Sequence, residues 1–96
     1  MEIHIIARFR ARAGNEGALE AAIREVQGPT KNEPGCLGHH FYRSVRDGQL
    51  FFIHSHFKDE AAFELHAELQ HTVKFIDTVE RLSDHPLDVI RTKLVS

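Results

Sequence analysis

The pair Asp47-Gly48 sits between two runs rich in aromatic and β-branched residues, "LGHHFYRSV" before it and "LFFIHSHF" after it. Such a pair predicts an antiparallel hairpin closed by a type I′ turn, whose two central residues both need positive φ. A hairpin in the middle of a 96-residue chain leaves one segment on each side to complete the fold. The two segments are patterned alike. "EIHIIARFRAR" alternates, with Ile3, Ile5, Ala7 and Phe9 on one face and His4, Ile6 and Arg8 on the other. At the far end, "HPLDVIRTKLV" reads as a fourth strand.

Helical patterns fill the gaps. "NEGALEAAIREVQ" repeats apolar residues at Ala18, Leu19, Ala22, Ile23 and Val26, with Asn15 as expected N-cap. Gly28-Pro29 is expected to end or kink that helix, and "NEPGC" to form a turn. After the hairpin, Asp59 is expected to cap a helix carrying Phe63, His66, Ala67 and Gln70 on one stripe. Thr72 reads as a new cap, followed by apolar Phe75, Ile76, Val79 and Leu82. The order is β-α-β-β-α-β, the α+β ferredoxin-like pattern of a four-stranded antiparallel sheet with helices on one face. Length fits one domain over residues 1–96.

Pairing Arg46 with Gln49 sets the hairpin register. One face then carries His39, Phe41, Arg43, Val45, Leu50, Phe52, His54 and His56. The other carries His40, Tyr42, Ser44, Phe51, Ile53, Ser55 and Phe57. Both faces show large apolar groups and helices cover only one, so a second copy of the chain is expected over the other.

Histidine is the unusual component, with eight residues. In that register His39 lies opposite His56, with His54 two residues along. Three imidazoles so placed could hold zinc or copper, and the same residues could instead be hydrogen-bonded groups lining a covered sheet. A one-residue slip would separate them. His66, beside Phe63, and His71 read either as partly buried histidines bonded to backbone or as a base and its partner in a pocket between helix and sheet. His4 is expected to face away from the helices, and His85, before Pro86, to lie in a loop.

Other chemistry finds little support. Formal net charge is -2 and the 12 basic residues are scattered, which excludes a nucleic-acid surface or a polybasic membrane patch. Apolar runs are too short to span a membrane. The chain begins with an acid and has its arginines after the apolar stretch, the wrong order for a signal peptide. One cysteine, Cys36, fits a reducing compartment, so the cytoplasm is expected. No Gly-rich phosphate loop or nucleophile elbow occurs.

"IIARFRARAG", "PTKNEPGCLGHHFYRS" and "FKDEAAFELHAELQH" resemble the antibiotic biosynthesis monooxygenase family, in particular its small single-domain quinol monooxygenase members. The resemblance runs from about Ile3 to about Val89. It implies a dimeric α+β barrel, two ferredoxin-like subunits packed sheet to sheet, with a pocket between sheet and helices in each. It also implies oxidation of a small hydroquinone or phenol by dioxygen with neither metal nor cofactor. The enzyme deprotonates the substrate, and the resulting anion reduces oxygen.

His66 and His71 match the family's helix histidines and are the expected base and orienting partner. Phe57 matches an aromatic position, and with Phe63, Phe75, His54 and His56 it is the expected substrate-binding set. Ser55 stands where many relatives have glutamate. Ala7, His66 and Ile76 stand where haem-degrading relatives have an asparagine, a tryptophan and a histidine, so haem is not the expected substrate. The alternative is a non-catalytic dimeric module, of the stress-response kind, that holds a small aromatic ligand.

Overall fold

Alternation in the first run becomes strand β1, Ile3–Arg10, in the computed structural model, which describes residues 1–96. Helix α1 spans Glu16–Lys31, β2 Cys36–Arg43, β3 Leu50–Phe57, α2 Glu60–Glu68, α3 Gln70–Leu82 and β4 Asp88–Thr92. The sheet is antiparallel in the order β2-β3-β1-β4, the ferredoxin-like arrangement. The expected fold class stands. The second helical segment is split in two.

Ile3, Ile5, Ala7 and Phe9 of β1 are buried, as their alternation requires: Ala7 and Phe9 against Leu19, Ile23 and Val26 of α1 and Phe75 and Val79 of α3, Ile3 and Ile5 in a smaller cluster with Phe57, flanked by Ala62 and Phe63 of α2. Phe9 stacks on Phe51 at 5.5 Å and meets Phe75 edge-on. Each such side chain, fully buried, contributes about 1.5–3 kcal/mol. Helices thus cover one face of the sheet only.

Several local expectations fail for identifiable reasons. Asn15 makes no side-chain cap bond; its carbonyl accepts from Leu19 instead. α1 runs through Gly28-Pro29 to Lys31. Proline there costs one amide donor, and the helix still closes with Asn32 N–H on the Gly28 carbonyl. Asp59 does cap α2, its carboxylate accepting from Ala62 N–H at 2.8 Å. Thr72 is not a cap. α3 starts at Gln70 after an extended Leu69, and Thr72 is buried within it.

The hairpin is the largest correction. Gly48 has negative φ, so no type I′ turn forms. Ser44 to Gln49 make a longer loop, in which Ser44 Oγ accepts from the amides of Arg46 and Asp47. Asp47 accepts from Gln49 N–H and pairs with Arg10, which holds its carboxyl below the usual range. Without positive φ the Asp-Gly pair is not the centre of a tight turn, and the register slips by one residue. His39 pairs with Ser55, and His40 with His54.

Such a slip exchanges faces within a strand. His39 lies on the helix-covered side with Ser55. His54 and His56 lie on the open side with His4, as that residue was expected to. The trio His39, His54 and His56 therefore cannot share an ion.

Candidate active site

β2 is entered through a turn that the sequence makes compulsory. A Cβ on Gly35 would lie 2.4 Å from the Ala62 side chain, so only glycine lets this turn approach α2 so closely. Glu33 N–H bonds to the Thr30 carbonyl, and the Glu33 carbonyl accepts from Cys36 N–H. The turn is thus pinned at both ends, and its carboxylate reaches the joint between α2 and α3.

That joint is the extended Leu69. In an unbroken helix, residues five apart point about 140° from one another. The break instead brings His66 and His71 onto one carboxylate. His66 Nδ1 donates to Glu33 Oε2 at 2.8 Å and His71 Nε2 to the same oxygen at 2.7 Å. Thr72 Oγ1 lies 3.2 Å from His66 Nδ1. His66 is buried, Glu33 nearly so with its side chain 10% exposed, and His71 is partly buried. With Nδ1 engaged, the tautomer of His66 is fixed and its Nε2 is left as the free ring nitrogen.

His66 borders a cavity of about 70 Å³ between the sheet and the helices. Phe63 and Phe75 line it, together with aliphatic groups that include Ile53 and Val89. Phe57 is fully buried and backs His66, its ring 5.0 Å from the imidazole, without lining the cavity. His71 faces a separate groove between α1 and α3. His54 and His56, expected in the pocket, face the other side of the sheet for the register reason given above. There His54 bonds to His4 at 2.9 Å and His56 pairs with Glu2. Burial, then the neighbouring His4, lowers the His54 pKa.

His39 enters the cavity wall instead, 4% exposed, its Nδ1 2.7 Å from Ser55 Oγ. Burial, reinforced by the adjacent His66, pushes its pKa down to about 4, so this imidazole is neutral across the physiological range. Burial also pushes the Cys36 thiol up, away from the reactive thiolate form.

Glu33, although part of the stretch that carries the family resemblance, was not among the candidate site residues read from the sequence. Its position in "NEPGC" carries no spacing relation to His66 or His71, and only the fold joins them.

Glu33, His66 and His71 also offer three ligand atoms within 4.8 Å of one another, a two-histidine, one-carboxylate set. At 2.7–2.8 Å from a shared oxygen, the two imidazoles and the carboxylate satisfy each other as hydrogen-bond partners. No helix is long and apolar enough to cross a membrane.

Residues 2–78 match the family described as antibiotic biosynthesis monooxygenase. The Mycobacterium tuberculosis protein named "Putative monooxygenase Rv0793" is 28% identical over 87 residues, spanning 91% of this chain and 85% of that one. "Putative monooxygenase YcnE" of Bacillus subtilis is 32% identical over 65 residues, 68% of each chain. Among solved structures, that of Rv0793 superposes with a TM-score of 0.93 at 24% identity, covering 100% of this chain and 97% of the other. PA3566 from Pseudomonas aeruginosa gives 0.90 at 26% identity, covering 99% and 95%.

Proposed function

This chain belongs to the antibiotic biosynthesis monooxygenase family, and from that premise we propose that it oxidises a small hydroquinone or phenol with dioxygen, without metal or organic cofactor. The observation that carries the reading is His66, set in an apolar cavity with Nδ1 held by Glu33 and Nε2 free. His66 Nε2 takes the proton of a substrate hydroxyl. Glu33 orients the ring and stabilises the imidazolium that forms, as a carboxylate behind a catalytic histidine does. His71 holds Glu33 from the other side. Phe63 and Phe75 are apolar walls, and Phe57 supports His66 from behind.

The anion left in the cavity is electron-rich and reduces dioxygen. A ring C–O bond forms, the O–O bond breaks, and the second oxygen leaves as water. For hydroquinone itself the balance is hydroquinone plus dioxygen giving hydroxyquinone plus water. A cavity of about 70 Å³ is roughly half of one known to hold benzene, so a single ring is the size limit and the wall must give on entry.

A run under labelled dioxygen tests the reaction type. One labelled atom in the quinone product is expected. Unlabelled quinone with hydrogen peroxide would make the protein an oxidase, and tight binding without product would favour the ligand-holding module.

The homodimer belongs to the same reading. Ile6, Tyr42 and Ile90 are exposed on the open face of the sheet, around the His4–His54 pair. A second copy packed there would remove them from water. Sedimentation should give twice the 11.0 kDa chain mass; a monomer at micromolar concentration would refute it.

A further inference from the structure

Two polar atoms of the residues lining the cavity lack any partner, His39 Nε2 and Thr30 Oγ1. His39 is 4% exposed and Thr30 is wholly buried. Buried polar atoms are nearly always paired, so two orphans on residues that line one small cavity call for an explanation. Neither is a failure of local structure. Thr30 lies in the last turn of α1, where a threonine hydroxyl ordinarily bonds back to a carbonyl one turn earlier. His39 is held at Nδ1 by Ser55, which leaves Nε2 as its only other polar atom. The third such orphan, Ser83 Oγ, is outside this cavity.

We infer that His39 and Thr30 form a second polar subsite in the cavity of His66, and that it binds the second oxygen of a dihydroxylated ring. This rests on the proposed oxidation, in which His66 serves the first hydroxyl. One hydroxyl has a donor and two acceptor sites, enough to bond an imidazole nitrogen and a threonine oxygen together. A monophenol would bury both orphans unpaired. No lysine or arginine lines the cavity and His39 stays neutral at working pH, so the subsite suits an uncharged oxygen and disfavours a carboxylate. The substrate class narrows from phenols in general to hydroquinones of one ring. A bound water bridging the same two atoms is the competing occupant.

Anaerobic calorimetric titration, in which no turnover occurs, distinguishes the two occupants, using hydroquinone, its monomethyl ether and phenol as probes. Hydroquinone should bind wild type about tenfold or more tighter than phenol, because the analogue lacking the hydroxyl leaves buried groups unpaired. The near-isosteric Thr30→Val and the ring-preserving His39→Phe should each bring that ratio close to one. If either variant fails to fold, the other carries the test. A wild-type ratio near one, or a ratio unchanged in the folded variants, overturns the subsite in favour of water. His66→Ala separates this inference from the one beneath it. That variant should lose oxygen uptake and keep the binding ratio. A preserved ratio in a wild-type protein that never consumes oxygen would sink the enzyme and leave the subsite standing. Binding of none of the three probes would sink both.

Discussion

Glu33→Ala should destabilise the protein by about 1 kcal/mol or more and cut its oxygen uptake by roughly a hundredfold. Two imidazole N–H groups share this carboxylate, at 2.8 and 2.7 Å, in a buried setting. Alanine leaves His71 Nε2 without its partner and His66 Nδ1 with only the Thr72 hydroxyl. An unsatisfied buried donor costs about 1–3 kcal/mol, and the cost here lies at the low end, since His66 keeps the Thr72 hydroxyl and the partly exposed His71 can turn to water. Activity falls for a separate reason. Without the carboxylate, nothing fixes which nitrogen of His66 carries the proton, and a ring in the wrong tautomer presents N–H where a base is needed. Glu33→Gln should recover part of the stability and little of the activity, since one amide oxygen still accepts but carries no charge. Urea unfolding beside oxygen uptake reads both. Glu25→Ala, which removes an exposed pair with Lys74, is the control and should be nearly silent. An equally silent Glu33→Ala would mean that the three side chains meet without consequence.

Acid should unfold the protein earlier than its carboxylates alone require, because of His39. Burial lowers this group from 6.5 to about 4 in the folded chain. Between those values the unfolded chain binds a proton that the folded chain refuses. Stability therefore rises with pH through this window: the folded state is unpenalised above about 6.5 and loses ground as pH falls towards 4. A gap of this size corresponds to roughly 3 kcal/mol at the acid end. His39→Gln is polar and does not titrate, so it should remove that slope. Comparing urea midpoints of the two proteins at neutral pH and near pH 4.5 isolates the His39 contribution from every other titrating group. Parallel losses in both would show that His39 takes up its proton without leaving the core.

How much of this was legible in the sequence depends on the range of the interaction involved. Ile3, Ile5, Ala7 and Phe9 declared their face, because alternation along a strand is a local pattern with period two. Asp59 declared its cap for a similar reason. Gly28-Pro29 did not end the helix, since a single missing donor near a helix end is tolerable when the next amides close the turn. The hairpin misled more seriously. Asp47 is an acceptor for Gln49 and a partner of Arg10 on another strand, 37 residues away in sequence, and it sits in a longer loop that goes with a register one residue from the expected one. Everything about the histidines followed from it. His39, grouped in sequence with His54 and His56 as either metal ligands or hydrogen-bonded groups lining a covered sheet, became a neutral wall group of the cavity, while those two went to the open face with His4.

The site shows the same division. His66 stood out on the apolar stripe of its helix. Its dependence on Glu33 could not be read, because it requires Gly35 to admit α2 at close range and Leu69 to break the helix between the histidines. Neither residue has a signature that points to the other. The polar pair of His39 and Thr30 was equally hidden, as one belongs to β2 and the other to α1.

The most direct test is oxygen uptake with a panel of one-ring hydroquinones, comparing wild type, His66→Ala and wild type treated with a chelator. Uptake above autoxidation should survive chelation and fall by a hundredfold to ten-thousandfold in His66→Ala, the range expected for losing a general base. Loss on chelation, restored by added metal, would instead make Glu33, His66 and His71 ligands, and undiminished uptake in His66→Ala would contradict the account outright.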